Sequence, residues 1–133
     1  VLLWELFQEQ AKVTWFDFVD TDPLCHQHRD VYFEQNQLEK NYSSILMDAT
    51  EFSDHKSYDL VINTSCEHMK DIPAVNGPLY ALQSNNQFDL PEHINCVNSA
   101  KQLAEQNNIT DIRFKGDLQL ENKTRYMVIG QYW

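Results

Sequence analysis

Glu67 and His68 stand side by side in the stretch 57–69, SYDLVINTSCEHM. Imidazole titrates near neutrality, so His68 could take a proton from an attacking oxygen or nitrogen, with Glu67 beside it. Asn63, Thr64 and Ser65 precede the pair and offer small polar groups to a ligand. Asp20 and Asp48 each follow another apolar run, and Asp17 lies just upstream of the first as its rival. An acidic side chain at the carboxyl end of a strand can accept both hydroxyls of a ribose. Gln83, Asn85, Asn86 and His93 follow a further apolar run and could hydrogen-bond a polar substrate. Plainer roles compete at every position. Asp20 and Asp22 could simply start a helix, Asp48 could form a turn, Glu67 and His68 could open the next helix, and 83–93 could be a polar loop. Cys25, His26 and His28 near one strand end, with Cys66 and His68 near another, are ligand types that zinc accepts. Their C-H-x-H spacing is not a usual one, and no metal is expected.

The elements that must position these residues alternate. Leu60, Val61 and Ile62 form an unbroken apolar run, the pattern of a strand buried on both faces, as in a parallel sheet. A helix is expected over 1–12, where Leu3, Leu6, Phe7 and Ala11 share a face. Residues 13–19, rich in β-branched and aromatic types, read as a strand. Asp22 then suits an N-cap and Pro23 a first helical turn, opening a helix to about Lys40. Strands follow at 44–47, 59–63 and 79–83. A helix is expected over 91–107, with Ile94, Val97, Ala100, Leu103 and Ala104 on one face. Strands 111–120 and 124–132, joined by a turn at 121–123, make an antiparallel hairpin. The expectation is a single α/β domain over 1–133. It has a Rossmann-like, mostly parallel sheet, helices on both faces and the hairpin at its end, with 13–19, 44–47, 59–63 and 79–83 parallel neighbours in one sheet.

Composition narrows the function. The chain has 133 residues and a net charge of −10. That field repels phosphate backbones, so no nucleic-acid partner is expected. No stretch approaches the ~18 apolar residues of a membrane span. Three cysteines cannot all pair, which points to free thiols in a reducing, cytoplasmic setting. The Asn-x-Ser/Thr triplets at Asn41, Asn63, Asn108 and Asn122 are read as chance in an Asn-rich chain.

Several of these stretches resemble one family, the class I S-adenosylmethionine (SAM)-dependent methyltransferases. Asp59-Leu60-Val61, the polar residues after it and Glu67-His68 are similar to the fourth strand of its small-molecule members. Asp20-Thr21-Asp22-Pro23 resembles the family's D-x-[SD]-P, and Met47-Asp48-Ala49 resembles its x-D-A. The resemblance implies that Asp20 and Thr21 hold the ribose, that Asp48 accepts from the adenine amino group, and that the Ala49 N–H reaches a ring nitrogen. It places Asn63, Thr64 and Ser65 near the methionine part, assigns Glu67 and His68 to catalysis, and leaves Gln83, Asn85 and His93 to the substrate. The implied function is a SAM-binding methyltransferase acting on a small molecule or a protein side chain. The alternative is a non-catalytic methyltransferase-like binding or structural subunit, loosely like small methyltransferase-like proteins of tailed bacteriophages, in host cytoplasm or virion.

The sequence departs from the family pattern in two places. Asn63-Thr64-Ser65-Cys66 lacks the prolines and aromatic of the DNA amino-methyltransferases. The glycine-rich turn that normally follows the first strand has no counterpart, because glycine occurs only at 77, 116 and 130. The chain opens on what would be the helix after that strand. It is therefore expected to be N-terminally truncated, gaining a βα unit from a preceding segment of about 20–30 residues, or to pair with another chain.

Overall fold

The computed structural model describes residues 13–38 and 41–133; the helix expected over 1–12 lies outside them. The chain divides into two compact units, Val1–Glu51 and Phe52–Trp133.

In the first unit, β1 (Phe16–Asp20) and β2 (Tyr42–Leu46) pair in parallel from Phe16↔Tyr42 to Asp20↔Leu46. Between them runs α1 (Pro23–Gln35). Its start is local: Asp22 is extended and its side chain accepts from the Leu24 N–H at 2.8 Å, with Pro23 in the first turn. It ends at Gln35 rather than near Lys40. The Asn36 side chain donates to the Tyr32 carbonyl at 2.9 Å, and Gln37 takes a positive φ of 54°, which stops the helical ladder. α1 buries His26, Arg29 and Phe33. The Arg29 guanidinium lies 4.7 Å from the Phe18 ring centroid and 4.5 Å from that of Tyr42, and it pairs with Asp30 at 2.9 Å. A buried cation is thus neutralised by one carboxylate and two aromatic faces.

The second unit holds a four-stranded sheet in the order β3 (Leu60–Asn63), β4 (Leu79–Asn85), β6 (Thr124–Gln131), β5 (Asp111–Gln119). β3 and β4 are parallel, but β6 is antiparallel to both β4 and β5. This corrects the expectation of one mostly parallel sheet. The expected strands fall into two sheets, and two of the three pairings in the larger one are antiparallel. The error has a simple source. The hairpin joins the sheet through its second strand, so β6 lies between β4 and β5 and opposes both of its neighbours.

One helix, α2 (Ala100–Gln106), packs on this sheet. Leu103 and Ala104 join Tyr80, Leu82, Val97, Ile109 and Val128 in the core. Among the described residues of this unit no second α-helix covers the other face, which also departs from the expected layering. Gly130 marks the tightest approach. A Cβ there would sit 2.4 Å from the Asp111 carbonyl oxygen and 2.6 Å from Ile109 Cγ2.

The helix expected over 91–107 forms only over its last half. Its cap is Ser99, whose hydroxyl accepts from the Gln102 N–H at 3.0 Å, while Gln102 Oε1 accepts from the Asn98 N–H at 2.8 Å. Upstream, the main chain is engaged elsewhere. The Asn95 N–H donates to the Glu67 carbonyl at 3.1 Å and the Val97 N–H to the Asn85 carbonyl at 2.9 Å. Segment 91–99 is thereby tied to the ends of β3 and β4 instead of coiling, and Ile94 is left 64% exposed. No described helix is long and apolar enough to cross a membrane.

Candidate functional site

Because β3 and β4 are parallel, their carboxyl ends share one edge of the sheet, where open α/β sheets bind ligands. Asn63 ends β3 and turns the chain: its Oδ1 accepts from the Ser65 N–H at 3.0 Å. A short 3-10 turn, Cys66–His68, follows. It points Glu67 inward, 3% exposed, and leaves His68 exposed.

Glu67 is the centre of the arrangement. Its Oε1 accepts from Asn85 Nδ2 at 2.8 Å and lies 3.5 Å from Arg125 Nη1. Its Oε2 is buried, and no donor among the described residues reaches it. A buried polar atom left in that state costs about 1–3 kcal/mol. Asn85, the last residue of β4, is fully buried, and its orientation is settled by its neighbours. Its Oδ1 accepts from the Gln87 N–H at 2.9 Å and from the Cys96 thiol at 3.5 Å, so its amide nitrogen must face Glu67. Arg125 of β6 also donates to the Thr64 carbonyl at 2.8 Å and to Gln83 Oε1 at 3.4 Å, tying the post-β3 turn to the sheet.

Segment 91–99 closes this edge with His93. The His68 and His93 rings meet edge to face, 4.6 Å between centroids. Each ring has Nδ1 against a main-chain carbonyl, His68 at 3.3 Å from Glu92 O and His93 at 3.0 Å from Gln87 O. A carbonyl only accepts, so each Nδ1 carries the proton and Nε2 holds the lone pair.

The cysteines are all unpaired. Burial pushes the Cys66 thiol up to about 12, and its Sγ–H donates to the Asn63 carbonyl at 3.6 Å. Burial raises the Cys96 thiol as well, aided by the charge of Glu67. The exposed Cys25 thiol is raised chiefly by the charge of Asp20.

Of the residues singled out in the sequence, Glu67, His68, Asn85 and His93 come together here. Gln83 touches the cluster through Arg125, and Asn63, Thr64 and Ser65 form its turn. Asn86 is turned to a structural task, its Oδ1 accepting from the Thr124 N–H at 2.8 Å. Asp20, Thr21, Asp48 and Ala49 belong to the first unit. Asp20 Oδ1 accepts from the Asp22 N–H at 2.9 Å, and Asp48 Oδ1 accepts from the N–H and hydroxyl of Thr50 at 2.8 and 2.7 Å. The rival Asp17 is engaged by Trp15 Nε1 at 2.9 Å and by the Ser43 hydroxyl. Cys25, His26 and His28 also lie in the first unit, whereas Cys66 and His68 lie in the second.

Sequence reasoning missed Arg125. Its signal is a lone cation in the otherwise uncharged strand Thr124–Gln131.

No family model and no curated protein sequence matches the chain. Solved structures similar in fold include those of two proteins. A human methyltransferase 10 domain containing protein aligns over 96% of this chain and 64% of its own, with a TM-score of 0.56 and 10% identity. A protein of Bordetella parapertussis described as a possible exported protein aligns over 88% of this chain and 53% of its own, with a TM-score of 0.61 and 12% identity. The chain thus spans roughly half to two thirds of these two proteins and is similar to both in fold, one of them a methyltransferase domain containing protein.

Proposed function

We propose that this chain is a methyltransferase-like domain that binds SAM and transfers its methyl group to a polar small molecule or protein side chain. The observation that carries this reading is the buried Glu67 carboxylate with His68 beside it, at the carboxyl ends of parallel strands β3 and β4. It stands in a chain whose fold is similar to that of a methyltransferase domain protein.

The residues fit the cofactor chemically. Asp20 ends β1 and Asp48 follows β2, and a carboxylate in such a place accepts from ribose hydroxyls or an adenine amino group. In the first unit we assign the ribose to Asp20 and Thr21, and the adenine to Asp48 and the Ala49 N–H. Bound SAM supplies an electrophilic methyl group on a sulfonium.

The chain's own part is positioning and proton removal. His68 Nε2 takes the proton of the attacking oxygen or nitrogen. Glu67, held by Asn85 and Arg125, keeps negative charge beside the imidazolium that forms. Gln83 and His93 orient the polar substrate, whereas Asn85, expected to do so, is fully buried and acts through Glu67.

Calorimetry with SAM tests the reading. Micromolar binding is expected, with Asp20→Ala and Asp48→Ala each weakening it by about ten- to hundredfold, the value of a hydrogen bond to a charged acceptor. Absence of SAM binding in the full-length natural protein would refute it and favour a non-catalytic methyltransferase-like subunit.

A further inference from the structure

We propose that Glu67, His68 and His93 form a site for one divalent transition-metal ion, zinc first among them. One carboxylate oxygen and one nitrogen from each ring lie within 4.8 Å of one another. Metal–ligand bonds of about 2.0–2.1 Å at tetrahedral angles place ligand atoms about 3.3 Å apart. The three groups therefore need to draw in by at most about 1.5 Å. The exposed His68 side chain, whose Nδ1 contact to the Glu92 carbonyl is long at 3.3 Å, is the one free to move inward.

Two further observations point to a cation. The first is Glu67 itself: 3% exposed, it keeps a buried Oε2 that no described donor reaches, although Arg125 and Asn85 both serve Oε1. The second is the pair of carbonyls at Nδ1 of His68 and His93. Metal-binding histidines characteristically donate one ring N–H to a main-chain carbonyl or carboxylate, which orients the ring and leaves the other nitrogen for the metal. Both histidines here are held in that way.

Two imidazoles and one carboxylate suit zinc, cobalt, nickel or ferrous iron; calcium and magnesium prefer all-oxygen sites. Three protein ligands leave a coordination position for water or a substrate atom. The site does not depend on methyl transfer. With an ion bound, His68 serves as its ligand and the metal supplies Lewis acidity at the open position, so metal loading and the base role of His68 are alternatives.

Titration of the intact chain with zinc, followed by calorimetry, and with cobalt(II), followed by visible absorption, tests the proposal. One ion per chain is expected. The cobalt spectrum should show ligand-field bands without intense thiolate charge transfer. Magnesium should not compete. Loss of an outer partner alone costs ten- to hundredfold in metal affinity, so His68→Ala and His93→Ala should each weaken binding by at least about tenfold. His68 is exposed, so its variant should keep the fold, checked by an unchanged thermal transition without metal. Absence of zinc binding, or binding unmoved by both histidine variants, overturns the site. Displacement by magnesium would mark general attraction to a chain of net charge −10 and overturns it too. So would thiolate bands that vanish with Cys25→Ser.

Discussion

Asn85→Ala tests the Glu67 cluster most directly. Asn85 is fully buried and holds three contacts: it donates to Glu67 Oε1 at 2.8 Å, and its Oδ1 accepts from the Gln87 N–H at 2.9 Å and the Cys96 thiol at 3.5 Å. Truncation removes a hydrogen bond to a charged group, worth about 1.5–3 kcal/mol. Glu67 would keep only Arg125 at 3.5 Å, so its carboxylate would be buried with both oxygens poorly served. The Gln87 N–H sits in a half-buried loop and can recover a bond to water, so its loss adds little. The expected cost is about 2–4 kcal/mol, a large part of the stability of a small domain. Urea unfolding followed by tryptophan fluorescence measures it. The Glu67→Gln background provides the control. With no charge to strand, Asn85→Ala should cost less there, giving a coupling of about 1–3 kcal/mol in the double-mutant cycle. A cost below about 0.5 kcal/mol, or a coupling near zero, would refute the placement of Glu67 as a buried charge held by Asn85.

Gly130→Ala should destabilise by about 1–3 kcal/mol in the same assay, because its Cβ would meet the Asp111 main chain at 2.4 Å and the β5–β6 pairing would have to shift. Ser99→Ala should cost about 1 kcal/mol through loss of the α2 cap and be largely recovered by Ser99→Asp. Cys66 gives a pH signature. Its thiol is raised from 9.0 to about 12 in the fold, so the folded state binds the proton more tightly, and stability is fully present below pH 9 and falls as pH rises toward 12. The decline should approach about 1.4 kcal/mol per pH unit for this group, and Cys66→Ala should flatten it in urea unfolding measured at successive pH values.

What could be read from the sequence was what a few consecutive residues determine. Asp22-Pro23 starts α1 because the cap and the ring act within one turn. Leu60–Ile62 forms a strand as its short unbroken apolar run predicts, although it is half-buried at the end of the four-stranded sheet and not enclosed on both faces. Residues 111–131 form a hairpin because the connection between its strands is only four residues long. The end of α1 is also written locally, in Asn36-Gln37, and so is the cap at Ser99, in Ser99-x-x-Gln102, which the apolar spacing of Ile94 and Val97 before it outweighed. Val97 shows why that spacing misled. It is buried as expected, yet its N–H serves the Asn85 carbonyl and not a helical ladder.

Pairing was decided only in three dimensions. Nothing local in 124–131 says that β6 lies between β4 and β5. That choice rests on Gly130 admitting the Asp111 main chain and on Val128 filling the space beside Leu82. The site follows the same division. Glu67 and His68 are adjacent in sequence and could be singled out together. Asn85, His93 and Arg125 reach them from 18 to 58 residues away, brought in by the parallel pairing of β3 with β4, the antiparallel pairing of β4 with β6, and the main-chain bonds that pull 95–97 onto the strand ends. Those contacts gain their strength from burial, and burial belongs to the folded sheet and not to any segment of it.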